Sequence, residues 1–585
     1  MKPIHVILYT LGTLFVLALL FFIGVFLLIQ VFSDTTPSVK SNSTLTLSFS
    51  GNIAEYHPPD EFPVLGKKAM SIKTILDNID KAKVDDRING ILLRIDTNFM
   101  GWAKIDEIKN KLIDFKSSGK YLIAYLGSYV AEKEYFLALA ADSIFSVPGG
   151  MMEMNGLVIE TVHLPGLFEK MGITLDYYSF GKFKSHSGES FAKKQHSAPV
   201  REMLNDLLDW EYKHLVAGIS KSRKFSKQEV KKTIDQGYFS AKKFVELGWL
   251  DGMLYEDQLK DKLKALNGDQ SSSKLKQISG KRYAEVSLES LGLNKGKKKI
   301  ALIYSQGLIQ EGGESFSPLT MGMTAGTDPM ISAIRNAVSS KSVKAIVFRV
   351  DSPGGSGLGC DLVWREILNA KQEKPVVVSM SDYAASGGYW VSMGANAIVA
   401  QPSTLTGSIG IWGIFPNISG MYEKLGLIED HIKRGEHADM FLGVKQLSPY
   451  EKKLFRDNMY ENYIDFVSKA AQSRGKSFEE LEPYAQGRSW MGEQAVQFGL
   501  VDELGGLDRA VELARQHAGI DSSEAVKLVV YTAKKSWYEK LLGKGTLLWL
   551  GKQVGDIANI EQLKNMLNQR RPLLWPMMPY QFRIH

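Results

Sequence analysis

The sequence predicts an α/β protein of two tandem units behind an apolar N-terminal segment. Three observations lead there. The chain matches itself, and over the middle segments the offset holds at 254 residues. Each copy alternates short β-branched runs with stretches of helical length, the pattern of a mainly parallel sheet covered by helices. The run "PIHVILYTLGTLFVLALLFFIGVFLLIQVF" carries no Asp, Glu, Lys or Arg between Lys2 and Asp34.

The repeat sets the domain organisation. "GILLRIDTNF" (90–99) matches "AIVFRVDSPG" (345–354), and "SYVAEKEYFLALAADSIFSVP" (128–148) matches "DYAASGGYWVSMGANAIVAQP" (382–402). Tyr129 pairs with Tyr383, Pro148 with Pro402 and Gly172 with Gly426 in the same register. The first unit is expected over 45–265 and the second over 299–520, joined by a polar linker, 266–298, that contains "NGDQSSSKLKQISGK" and "NKGKKK". A tail occupies 521–585. Within the second unit, "KKIALIYSQGLI", "KAIVFRVD" and "KPVVVSM" read as buried strands, and "GCDLVWREILNAKQE" as an amphipathic helix.

The apolar run exceeds the roughly 20 residues that span a bilayer core and the roughly 7–15 of a signal-peptide core. It is expected to be an uncleaved transmembrane anchor within 1–35. Lys2 favours a cytoplasmic amino end, which puts the rest of the chain on the extracytoplasmic side. The chain has 585 residues, is 44% hydrophobic and 23% charged, and its net charge of +7 is spread over lysine-rich surface stretches. No clustered basic patch with interleaved aromatics is present, so nucleic acid is not an expected partner. Cys360 is the only cysteine, which excludes an intrachain disulfide and a cysteine-based zinc site. No metal or other cofactor is expected.

Differences between the copies point to chemistry. Ser408 of "STLTGSIGIWG" stands opposite Met154, while its neighbour Gly410 stands opposite Gly156. Ser386 stands opposite Glu132, and the glycine-rich "DSPGGS" (351–356) stands opposite "DTNFMGW" (96–102). In return, Lys184 of the first copy stands opposite Ala438 and Lys182 opposite Glu436. Alone, each feature is ordinary: a serine between Gly407 and Gly410 is turn chemistry, a lysine is surface, and "SPGG" is a turn. Their complementary distribution suggests one site shared by both copies. A serine hydroxyl needs a base. A lysine serves only when neutral, which burial can arrange by lowering its pKa from about 10.4. The N–H groups of Gly354 and Gly355 can receive a developing oxyanion.

At "DSPGG" (351–355), "ASGGYW" (385–390), "LTGSIG" (405–410) and "GKFKS" (181–185) the chain resembles the signal peptide peptidase A family in its long, duplicated bacterial form. The resemblance implies two Clp protease/crotonase-like units and a serine endopeptidase with a Ser–Lys dyad. It also implies cleavage of remnant signal peptides at the bacterial inner membrane, catalytic units on the periplasmic side, and a homotetramer. Carried onto this sequence, Ser408 is the nucleophile, Lys184 the general base, and Gly354, with Gly355, the oxyanion donor nearest the acyl oxygen. Ser386 is a rival nucleophile, because that of the Clp protease lies in a similar "AAS" segment; otherwise it caps the helix starting at Gly387 or shapes the cleft. His186 and His437 form no convincing Ser–His–Asp set. Phe183, where the family often has tyrosine, and "SHSGES" (185–190) depart from the pattern. A crotonase-type acyl-CoA hydratase or isomerase, and a non-catalytic membrane scaffold, are the alternatives.

Overall fold

Consecutive aliphatic and β-branched residues form strands here because both faces of each sheet are covered. In "VKAIVFRVDS" the side chains alternate between two cores: Ile346, Phe348 and Val350 enter one, Ala345 and Val347 the other. Arg349 shares the parity of the second set and is buried as well. The computed structural model describes residues 37–57, 70–269, 274–317, 322–533 and 573–575, with scattered helical positions between Gly12 and Gly24.

The first unit places β1 (Ser43–Gly51), β2 (Ile88–Asn98), β3 (Tyr121–Leu126) and β4 (Ser143–Ser146) in one sheet. Strand β5 (Thr174–Phe180) leaves that sheet, while β6 (Gly252–Met253) and β7 (Gln277–Ser279) return to it. The order is β6-β4-β3-β2-β1-β7, and all pairings are parallel. Helices α1 (Ile72–Val84) and α2 (Trp102–Phe115) follow β1 and β2, and the long α3 (Ala198–Arg223) lies beyond β5.

The second unit repeats the series. Its strands are β8 (Lys298–Gln306), β9 (Val343–Ser352), β10 (Val376–Ala385), β11 (Ala397–Ala400), β12 (Leu405–Gly407), β13 (Ile411–Asn417), β14 (Ser489–Met491), β15 (Glu503–Leu504) and β16 (Val526–Val530). The sheet runs β14-β12-β10-β9-β8-β16, with β11 between β10 and β15; only β12 and β14 pair antiparallel. Helices α4 (Thr327–Ser339), α5 (Gly357–Glu373), α6 (Gly387–Met393), α7 (Pro449–Ser473) and α8 (Leu507–His517) cover it. Strand β4 shifted by 254 falls on the bounds of β11, so the sequence repeat is a repeat of elements.

The two units are stitched by β5, which pairs antiparallel with β13 from Thr174 opposite Asn417 to Phe180 opposite Ile411. A short strand, Leu573–Trp575, pairs with β13 on its other side. Part of the expected linker is built into the first unit: β7 extends the sheet beside β1, and buried Tyr283 donates to Asp85 Oδ2 at 2.9 Å. The expected transmembrane helix falls almost wholly outside the described residues; among those described, no helix is long and apolar enough to cross a membrane. Most of the tail beyond residue 533 also lies outside them.

Candidate active site

Two neighbouring parallel strands end side by side. Ala385, the last residue of β10, pairs with Gly407, the last residue of β12. The next residue on each is a serine with positive φ, Ser386 at 56° and Ser408 at 52°. Non-glycine residues hold such conformations only where the surroundings impose them, and such strain clusters at functional sites. The Ser386 N–H donates to Gly407 O at 2.8 Å, and the Ser408 N–H donates to Arg488 O at 2.7 Å. Ser386 (ψ −116°) forms a sharp turn from strand β10 into helix α6.

The first unit brings Lys184 to this point. Once Phe180 is fixed opposite Ile411, the chain turns back: the Phe183 N–H donates to Gln486 O at 2.8 Å, and Lys184 begins a short 3₁₀ turn, Lys184–Ser187. The Lys184 Nζ lies 2.7 Å from Ser386 Oγ, 3.0 Å from Ser408 Oγ and 2.8 Å from Ser408 O. All three residues are fully buried. Burial, with no opposing carboxylate, drives the Lys184 amine well below its ordinary pKa.

Glycines make the approach possible. A Cβ on Gly487 (φ 69°) would stand 2.3 Å from Lys184 Cβ and 2.5 Å from its backbone N. One on Gly410 would stand 2.8 Å from Phe180 O and 3.1 Å from Lys184 Cδ. Gly407 (φ 74°) ends β12 under Trp490.

The loop 352–356 packs against the Ser386 turn. A Cβ on Gly387 would meet Gly355 N at 2.9 Å and Gly354 Cα at 3.1 Å. Gly354 (φ 118°) donates its own N–H to Ser352 Oγ at 3.2 Å. The Gly354 amide thus has an acceptor within its own loop, whereas the Gly355 amide abuts the turn. Ser356 caps α5, accepting from the Gly359 N–H at 3.1 Å.

The two histidines that form no convincing Ser–His–Asp set in the sequence have other hydrogen-bond partners. His186 Nδ1 lies 2.8 Å from Phe183 O, and burial pushes the ring down to about 3, so it is neutral. His437 Nδ1 lies 3.1 Å from Glu451 Oε1, on the edge of α7. Lys182 points outward to Glu202. The corresponding place in the first unit is filled: Glu132, opposite Ser386, accepts from the Asn155 and Gly156 N–H groups at 2.9 Å, and Met154 is buried opposite Ser408. Among the described residues no cluster of His, Cys, Asp and Glu fits a metal ion.

Sequence reading missed two parts of this arrangement. Gly487 was visible only as a residue of the repeat, although its positive φ and close approach to the Lys184 backbone let that side chain sit where it does. The charged groups Lys104, Arg349, Glu55 and Glu107 carry no local signal, because their hydrogen-bonded charge partners lie 242 to 294 residues away.

The chain matches the model of peptidase family S49 over residues 114–269 and 369–521. It is 37% identical over 502 residues to "Serine protease SPPA, chloroplastic" of Arabidopsis thaliana, covering 86% of this chain and 73% of that one. It is 30% identical over 519 residues to "Protease 4" of Salmonella typhi, covering 85% and 82%. "Protease 4" of Haemophilus influenzae is 31% identical over 454 residues, covering 75% and 71%. With hydroxyls and a buried amine gathered between two repeated α/β units, this chain is a serine protease belonging to peptidase family S49.

Proposed function

We propose that this protease is a membrane-tethered endopeptidase for remnant signal peptides, with Ser386 as nucleophile, Lys184 as general base and Ser408 as the hydroxyl that fixes the amine. The observation that carries the catalytic part is the set of three oxygens around Lys184 Nζ. A neutral amine has two N–H donors and one lone pair. Ser408 O can only accept, one hydroxyl takes the second N–H, and the other gives its O–H to the lone pair. Ser386 is the closer hydroxyl, sits on a strained strand-to-helix turn of the kind that presents nucleophiles, and has the Gly355 amide beside it. Ser408 is the nucleophile implied by family resemblance; the atoms nearest the flanking Gly407 and Gly410 belong to Trp490, Arg488, Phe180, Gly487 and Lys184.

In this mechanism Ser386 Oγ attacks the scissile carbonyl and its proton passes to Lys184. The oxyanion is received by the N–H groups of Gly355 and Gly387. Lys184 then protonates the departing amine; water gives a proton to Lys184 as its oxygen attacks the acyl carbon, and Lys184 returns that proton to the Ser386 Oγ as the acyl–oxygen bond breaks. One oxyanion donor is worth about 3 kcal/mol of barrier.

The apolar run near the amino end supports a tether, and a tethered enzyme meets a peptide left in the same bilayer by diffusion in two dimensions. The bacterial inner membrane, with the catalytic units on its periplasmic side, is the location this reading requires. Ile428 and Ile432, 96% and 91% exposed, are apolar surface that other copies would cover in a homotetramer.

A serine-directed fluorophosphonate tests the assignment. Labelling is expected to vanish in Ser386→Ala and to persist, more slowly, in Ser408→Ala; the reverse pattern returns the nucleophile to Ser408. Cleavage of a synthetic signal peptide by the full chain in vesicles tests the substrate, and its survival there overturns that part.

A further inference from the structure

We infer that Lys104 of the first unit is a positioning residue for catalysis, holding the oxyanion loop and the nucleophile turn of the second unit in register. The inference rests on the assignment of Gly355 and Ser386 just given.

Two carboxylates precede the two catalytic segments. Asp351 ends three residues before Gly354, and Asp382 lies four before Ser386. Both converge on the first turn of α2. Asp382 accepts from the Gly101 N–H through Oδ2 at 2.9 Å and from the Lys104 N–H through Oδ1 at 3.0 Å, so a residue of the second unit caps a helix of the first. Lys104 Nζ then bonds Asp351 Oδ2 at 2.6 Å and lies 3.2 Å from Asp382 Oδ2 and 3.8 Å from Glu55 Oε1. Asp351 Oδ1 also accepts from the Tyr383 N–H at 3.3 Å, tying the two segments directly.

The amine is buried, and its removal would leave Asp351, Asp382 and Glu55 facing one another without that cation. Like charges this close in a dry site separate or take up protons. Separation would move the 352–356 loop against the Ser386 turn, where Gly387 and Gly388 leave no slack: a Cβ on Gly388 would meet Ser352 O at 2.4 Å. Burial lowers the Lys104 pKa, but Asp351, Asp382 and Glu55 overcome it and hold the amine charged. Lys104 lies outside the set of groups that touch Lys184, so its effect on rate runs through geometry. Displacement of a reacting group by about 1 Å costs about 100-fold in rate.

The test compares Lys104→Met, Lys104→Arg and Asp351→Asn in the full chain, with kcat and KM measured on a peptide ester. Lys104→Met is expected to lower kcat by about 100-fold with KM within about twofold, and Lys104→Arg to restore most of kcat. Asp351→Asn removes one charge at constant volume; it should lower kcat alone, and the double variant Lys104→Met/Asp351→Asn should be no worse than Lys104→Met. If Lys104→Met does not fold, a kcat loss confined to Asp351→Asn still supports the inference. Normal kcat in Asp351→Asn and Lys104→Met, or a loss in Lys104→Arg as large as in Lys104→Met, overturns it. Mapping the fluorophosphonate adduct keeps the two claims apart: an adduct on Ser408 refutes the assignment of Ser386, whatever the Lys104 variants do.

Discussion

At the scale of one residue, the burial of the Lys184 amine ties stability to pH. Its pKa is held well below the unfolded value by burial, so the unfolded chain binds the extra proton more readily. Stability therefore rises with pH between the folded and unfolded pKa values of this group, and falls as pH drops through that window. Lys184→Met removes the titration. The stability of that variant relative to the parent should grow as pH is lowered from about 10 toward 7, by up to about 1.4 kcal/mol per pH unit. Urea denaturation across that range measures it, and a pH-independent difference would contradict the neutral amine. With Lys184 as the proposed base, kcat/KM should fall as pH drops through the Lys184 pKa, and the alkaline plateau should begin well below pH 10.4.

At the scale of elements, the decisive feature is a strand that deserts its own sheet. Strand β5 pairs with β13 of the other unit over seven residues, and that register delivers Lys184 to the ends of β10 and β12. The turn after β5 then rests on Gly487, whose space is already taken by Lys184 backbone. Gly487→Ala adds a methyl there and strains a left-handed φ of 69°. It should lower stability by about 1–3 kcal/mol and depress kcat further than any loss of folded protein explains. Thermal melts paired with active-site titration measure both effects; an active, unshifted Gly487→Ala would show that the turn yields without moving the base.

Across the whole molecule, buried charge joins the two units. Arg349 donates to Glu55 Oε2 at 2.9 Å and to Glu107 Oε2 at 2.5 Å, both from the first unit, and to Ser379 Oγ at 2.8 Å. Glu107 Oε1 returns to the second unit by accepting from the Leu507 N–H at 2.6 Å. Breaking such a pair strands buried charge, at about 3–5 kcal/mol. Arg349→Met should cost that much in equilibrium unfolding. The reciprocal Glu107→Gln, which keeps the hydrogen-bond acceptor to Leu507, should cost less. Equal costs would mean that packing, rather than stranded charge, sets the penalty.

The sequence by itself determined the duplication, the buried parallel strands, and the candidates Lys184, Ser386, Ser408, Gly354 and Gly355. Those features are carried by local periodicity and by comparison of one copy with the other, and both are visible along a chain. Tertiary structure decided where the candidates meet. That Lys184 meets two hydroxyls, that the Gly354 amide is spent on Ser352, and that Lys104 reaches Asp351 all depend on where separated segments come together. The reason is physical: a pattern of side chains along a strand selects its faces, whereas the distance between two polar atoms is set by the packing of every element between them.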